Sequence, residues 1–240
     1  MNGIVSRISV DSGSVAGSLG FSLRRHYVDD FHARHVQIFP QGSLVLDLAG
    51  NRTSKRGLFD IERYGLNVVY ANISTAKHPD VQADAHWLPF GTGVFDGVIC
   101  SEMLEHVPDP VHVLSEIRRV LKRNGTVLIS VPFLNRIHGD PYDFGRYTDT
   151  YWQDVLKSLR FEPIKIERQG LFWSVLVDML REYMNAKAAR FRSPGLIFLL
   201  GALVRIMKGI AVRLDSRNFT QSSSVLKNYT SGFGIEAVKT

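Results

Sequence analysis

Two short segments carry the side chains best suited to chemistry. In Ser101-Glu102-Met103-Leu104-Glu105-His106, residues Glu102, Glu105 and His106 stand at i, i+3 and i+4. On one helical turn those positions share a face, so two carboxylates and an imidazole would converge on a divalent ion, with His138 or His112 as a further ligand. The second segment, Asn135 to Thr148, holds His138, Asp140, Asp143 and Arg146. His138 is the first candidate for a base that accepts a proton, followed by His106 and Asp140. The same spacing suits a loop histidine bonded to a carboxylate such as Asp140. No fourth ligand can be identified, so the expectation is that no metal is held.

A third stretch suggests binding rather than proton transfer. "LVLDLAGNR" (Leu44 to Arg52) reads as a buried strand running into a tight loop, with Asp47 just before the turn. Stepping outward, strands are expected at Leu44 to Leu48, Asn67 to Ile73, Val81 to Ala83, Phe95 to Cys100, Thr126 to Val131 and Glu162 to Arg168. A helical pattern runs from Leu19 to Phe39 and stops at Pro40-Gln41-Gly42. The best-defined helix is Asp109 to Lys122: Asp109 caps it, Pro110 suits its first turn, and Val111, Leu114, Ile117, Val120 and Leu121 form an apolar stripe. Arg118, Arg119, Lys122 and Arg123 favour its C-terminal dipole, and Asn124-Gly125 ends it. Short apolar strands alternating with helices imply a doubly wound α/β sheet, mostly parallel, whose ligands bind beyond the strands' C-terminal ends.

These segments, in this order, resemble the class I S-adenosylmethionine-dependent methyltransferases, in the group that includes quinone and glycan methyltransferases. The resemblance rests on "DAHWLPF" (Asp84 to Phe90), "FDGVICSEMLEHVPDP" (Phe95 to Pro110), "EIRRVLKRNGTVLISVPF" (Glu116 to Phe133) and "HGDPYDFGRYT" (His138 to Thr148). It implies a Rossmann-like fold with an antiparallel final edge strand, Gly232 to Lys239, and S-adenosylmethionine as cofactor. It places Asp47 and Gly50 against the aminoacyl and ribose part, Asn72 at the ribose hydroxyls, Asp84 with Ala85 at the adenine amine, and Ser101 at the same rim. Trp87 and Leu88 would cover the adenine. The implied activity is O-methylation of a glycan, lipid-linked or other small hydroxylated acceptor. A metal-assisted quinol-type enzyme and a non-catalytic cofactor-binding module are the alternatives. The weak metal candidates are Glu102, Glu105 and His106.

The chain departs from the family pattern at two places. In the first loop Ala49 and Asn51 occupy the two usual glycine positions; Ala49 is tolerable if its φ stays negative, and Asn51 can adopt the left-handed conformation. Asn72 stands where an acidic residue is usual, so replacing it with Asp is expected to tighten cofactor binding or leave it unchanged.

The chain has 240 residues and a formal net charge of +6. An N-terminal extension and helix (1–42) is expected to precede a methyltransferase domain (43–240) that contains a helical, basic and apolar insertion at 171–228. Between Arg181 and Arg217 there are eight basic residues against Glu182 and Asp215, so the whole excess sits in that insertion. Charge gathered in one segment argues against a nucleic-acid binder. In Pro194 to Arg213, Leu196, Leu199, Leu200, Leu203, Met207 and Ile210 fall on one side, with Arg205 and Lys208 toward another. That pattern suits a helix lying on an anionic membrane surface, a lid or a dimer face. The single Cys100 excludes an internal disulfide, and no secretory leader is recognisable. The expected location is cytoplasmic, peripheral on the inner membrane face.

Overall fold

The computed structural model describes residues 22–50, 52, 57–139, 142–188 and 194–240, with the backbone alone at 188 and 194–198. They form two compact units: Tyr27–Gln169 with Ser231–Thr240, and 22–26 with Gly170–Thr230.

In the larger unit the strands are β1 (Leu44–Leu48), β2 (Asn67–Asn72), β3 (Val81–Gln82), β4 (Phe95–Ser101), β5 (Leu121–Pro132), β6 (Phe161–Gln169) and β7 (Gly232–Lys239). They form one sheet in the order β3-β2-β1-β4-β5-β7-β6. Strands β3, β2, β1, β4 and β5 run parallel, and β7 pairs antiparallel with both β5 and β6. The last strand is therefore the antiparallel one, as expected. It lies one place in from the margin, so β6 forms the edge.

Alternation along the strands sends side chains to two cores. Leu46, Leu48, Val98, Cys100, Val127 and Ile129 pack with helix α2 (Pro110–Val120) and helix α3 (Asp149–Ser158). Val45, Tyr70, Ile99 and Leu128 pack with Phe31, Val36 and Phe39 from helix α1 (Leu23–His35) and the turn after it. Gly97 permits this contact, because a Cβ there would lie 2.3 Å from the Phe39 ring.

Helix α2 forms where its cap and stripe require. The Asp109 carboxylate accepts from the His112 amide, Pro110 opens the first turn, and Val113, Leu114, Ile117 and Val120 are buried. Burial of each such side chain contributes up to about 1.5–3 kcal/mol. The helix ends two residues earlier than the sequence suggests. Leu121 is fully buried and already pairs with Phe95, so packing draws it into β5, and Asn124 turns through φ 61° inside that segment. Helix α1 begins at Leu23; its expected start at Leu19 lies outside the described residues.

In the smaller unit, helix α4 (Phe172–Ala188) packs with helix α5 (Pro194–Asp215), and the short α6 (Asn218–Ser222) follows. Asp215 accepts from the amides of Leu171, Trp173 and Ser174 at 2.9, 3.0 and 3.1 Å, capping α4. Asp178 likewise accepts from Leu23 and Arg24, both at 3.1 Å. Among the described residues no helix is long and apolar enough to cross a membrane.

Candidate functional site

Strands β1 to β5 are parallel, so the segments that follow them gather at one rim of the sheet, the usual ligand edge of such folds. At the end of β1 the chain turns sharply: the Ala49 amide donates to Ala71 O at 2.8 Å and Ala49 adopts φ 67°. The negative φ expected there is not observed. The left-handed strain that Gly would relieve is borne by Ala49, because the bond to Ala71 and the neighbouring strand fix the loop. Asn51 lies outside the described residues.

Gly50 sits directly under Asp47. A Cβ on Gly50 would fall 2.2 Å from the Asp47 carboxylate carbon and from Oδ2, so the bare backbone at this point is a steric requirement. Asn72, at the end of β2, is buried and does not offer its amide outward. Its Nδ2 donates to Ala49 O at 2.9 Å and to Gly50 O at 3.1 Å, while its Oδ1 accepts from the Ser74 amide at 3.0 Å. Its donors thus brace the first loop, and Oδ1 is the atom left with capacity to accept from a ribose hydroxyl. The usual acidic residue has no proton to give those carbonyls, which explains the amide here.

After β3, Asp84 is half exposed and accepts from the His86 amide (2.9 Å) and His86 Nδ1 (2.8 Å) through one oxygen. The backbone bond from His86 holds its carboxyl below the usual range against the opposing effect of partial burial. Ala85 is half-buried beside it. The following segment is fastened by Glu116 and Arg119: Glu116 accepts from Leu88 N at 2.9 Å, and Arg119 donates to Leu88 O and Phe90 O at 2.9 and 2.7 Å. Leu88 is buried, and Trp87 is largely exposed and meets the His112 ring edge-on at 4.7 Å.

The segment after β4 is not the helical turn its spacing suggests. The Glu102 amide donates to Ser130 O at 2.8 Å, extending the strand pairing past Ser101. Glu102 then reverses through φ 51°, and only Leu104–His106 form a 3-10 turn. Glu102 therefore does not share a helical face with Glu105 and His106. His112 is drawn instead to Trp87 and His86. The group that does converge is Glu105, His106 and His138, whose ligand-capable atoms all lie within 4.8 Å of one another.

Two loops build that group. Glu105 is buried, and its Oε1 stands 3.6 Å from His106 Nε2 and 4.0 Å from His138 Nε2. His106 Nδ1 lies 2.6 Å from Tyr142 O and His138 Nδ1 3.1 Å from Arg136 O. A carbonyl can only accept, so His106 carries its proton on Nδ1 and presents Nε2 toward Glu105. At His138 the Arg136 carbonyl calls for the same tautomer, whereas the Arg146 guanidinium, 3.4 Å from that Nδ1, can only donate to it; the shorter carbonyl contact favours Nε2 as the free atom. Asp143 anchors the second loop. It accepts from the His138 amide at 2.8 Å and pairs with Arg146 through both oxygens, and the Arg146 bond holds its carboxyl down to about 2 although burial opposes this. Neither backbone acceptor, Tyr142 O or Arg136 O, carries a signal in the sequence. Asp140 lies outside the described residues.

Residues 42–129 match the family model described as a methyltransferase domain. The chain is 44% identical over 72 residues to a ubiquinone biosynthesis O-methyltransferase of Methylococcus capsulatus, a match covering 30% of this chain and 26% of that protein. The chain thus spans about a quarter of that relative's length. Among solved structures it is similar to the cyclase SpnF, with a TM-score of 0.56 at 15% identity, covering 90% of this chain and 81% of that one. It is also similar to a SAM-dependent methyltransferase from Archaeoglobus fulgidus, with a TM-score of 0.54 at 17% identity, covering 90% and 94%. At these identities the two structures establish a shared fold.

Proposed function

We propose that this chain, which carries a class I S-adenosylmethionine-dependent methyltransferase domain, transfers a methyl group to the hydroxyl of a glycan, a lipid-linked or another small acceptor. The observation that carries this reading is the convergence of Glu105, His106 and His138 on the segments after β4 and β5, on the rim where Asp47, Gly50 and Asp84 close the loops after β1 and β3.

The residues present fit the cofactor. The cradle of Gly50 under Asp47 leaves bare backbone for its aminoacyl and ribose part, and the half-exposed Asp84 carboxylate with Ala85 suits the adenine amine. Asn72 contributes by bracing the loop, and Ser101 closes the rim at the end of β4. When bound, S-adenosylmethionine supplies a methyl group made electrophilic by its sulfonium. The protein's share of the chemistry is then to align a hydroxyl and accept its proton. His138 Nε2 takes that proton, and the buried Glu105 carboxylate offsets the positive charge that develops on the ring. His106 stands beside it with its ring fixed by Tyr142.

A second reading is favoured by the same cluster. One carboxylate and two imidazoles with Nδ1 tied to carbonyls form a ligand set for a divalent ion, which would orient and acidify the acceptor hydroxyl as in a metal-assisted quinol-type enzyme. The similarity to a ubiquinone biosynthesis O-methyltransferase supports an oxygen acceptor in either case. We place the protein in the cytoplasm, peripheral to the inner membrane face, on the strength of the basic segment 181–217.

Calorimetry with S-adenosylhomocysteine tests the shared premise. Saturable heat is expected; its absence from a protein folded by circular dichroism would remove both enzyme readings.

A further inference from the structure

Helix α5 is amphipathic in the opposite sense to a helix of a water-soluble core. Leu199, Leu203, Ile206 and Ile210 are 64, 47, 61 and 48% exposed. At about 100° per residue they fall within roughly 60° of one another, forming a single outward stripe. The opposite face holds Lys208 and Asp215, buried together with Ala211 and Val212. Burial, with Arg181 and Arg205 nearby, depresses the Lys208 ammonium below its usual range. Lys208, expected from periodicity to face lipid headgroups, is thus on the inner side. Helix α4 also exposes an apolar row, Leu176, Met179, Leu180 and Tyr183, at i, i+3, i+4 and i+7.

The charge around these rows is predominantly positive. Gly170–Thr230 contains three acidic residues, each held by a partner, and only Glu182 reaches the surface. Asp178 and Asp215 cap helices, and Glu182 is bound to Arg181 at 2.5 Å. Lys187, Arg205, Arg213 and Arg217 are exposed. An apolar stripe bordered by cations matches an anionic lipid surface, where acyl chains meet the stripe and headgroups meet the arginines. A two-fold contact between copies of this chain would instead set those cations against their equivalents.

We infer that the outward stripe of α5, with Arg213 at its margin and the exposed Arg205 further round the same flank, is a docking surface for an anionic lipid bilayer. It is independent of methyl transfer, and it would bring the protein to acceptors that reside in or at a membrane.

Flotation of the full chain with vesicles of phosphatidylglycerol and phosphatidylcholine, against vesicles of phosphatidylcholine alone, tests this. Binding is expected to the anionic vesicles and to weaken with added salt. Ile206→Glu, at an exposed position, should lower the bound fraction about tenfold or more while thermal unfolding and S-adenosylhomocysteine binding stay as in the parent. Arg205→Glu with Arg213→Glu should lower it by a similar factor through charge alone. Equal binding to both vesicles, or parent-like binding by either variant, overturns the proposal. So does a parent that ignores vesicles but sediments as a dimer converted to monomer by Ile206→Glu, since the stripe is then a contact between copies. If Ile206→Glu unfolds the protein, the arginine reversals, which add no charge to an apolar position, decide the question alone.

Discussion

The side-chain amide of Asn72 bridges two consecutive backbone carbonyls, donating to Ala49 O at 2.9 Å and to Gly50 O at 3.1 Å. Its carbonyl oxygen meanwhile receives the Ser74 amide, so both donors and one of its two acceptor sites serve the loop. An aspartate here would place a carboxylate against two acceptors. Asn72→Asp is therefore expected to destabilise the loop by about 1–3 kcal/mol and to weaken S-adenosylhomocysteine binding, the reverse of the expectation from family pattern. Calorimetry paired with a thermal melt checks it. Tighter binding in the variant would show that the side chain at 72 can leave the loop and meet a ribose.

Ala49 and Gly50 predict opposite outcomes one residue apart. Ala49 sits at φ 67°, which costs an ordinary residue about 1–2 kcal/mol, so Ala49→Gly should stabilise the protein by about 0.5–1 kcal/mol after the greater unfolded-state entropy of Gly is counted. Gly50→Ala should lower S-adenosylhomocysteine affinity about tenfold or more, because its Cβ would displace the Asp47 carboxylate. Denaturant titration reads the first effect and calorimetry the second. Unchanged affinity in Gly50→Ala would mean that Asp47 swings aside freely.

Much of this arrangement was legible before the structure. Alternating apolar residues located β1, β2, β4, β5 and β6, and the Asp109-Pro110 opening located α2, because burial and capping act on local pattern. What was missed depends on partners distant in sequence. The left-handed turns at Ala49 and Glu102 are imposed by bonds to Ala71 and Ser130. The role of Asn72 is set by carbonyls more than twenty residues earlier, and helix α3 is held by burying Trp152 and Leu156 against β-strand neighbours. Periodicity also read Lys208 as outward because it weighs a residue's polarity and not which face of the helix finds cover.

Asp143 ties the His138 loop to pH. The Arg146 pair holds its carboxyl at about 2 in the folded protein, below its ordinary 3.8, despite partial burial. A depressed carboxyl contributes stability that is present above its unfolded value and is lost as pH falls from there through about 2. The shift corresponds to roughly 2 kcal/mol. Asp143→Asn should remove about that much at neutral pH and flatten the decline in stability between pH ~4 and ~2. Urea titrations at several pH values measure both; an Asn variant with the parent's acid profile would place the sensitivity elsewhere.

The spacing of His138, His106 and Glu105 separates proton transfer from metal binding. In the base reading, Nε2 of His138 faces the acceptor and Glu105 Oε1, 4.0 Å away, compensates the charge gained on protonation. Activity should then survive EDTA. His138→Gln should lower kcat by about 10²–10⁴, since the proton acceptor is gone, while S-adenosylhomocysteine affinity is unchanged. Glu105→Gln keeps the shape but not the charge, so it should lower kcat to a lesser degree. In the metal reading the order differs: chelation abolishes turnover, magnesium or manganese restores it, and Glu105→Gln is as severe as His138→Gln because each deletes a ligand. Steady-state rates of the parent before and after chelation, with those of the two variants, separate the readings. EDTA-sensitive activity rescued by a divalent ion would assign all three side chains to that ion and remove His138 as the base.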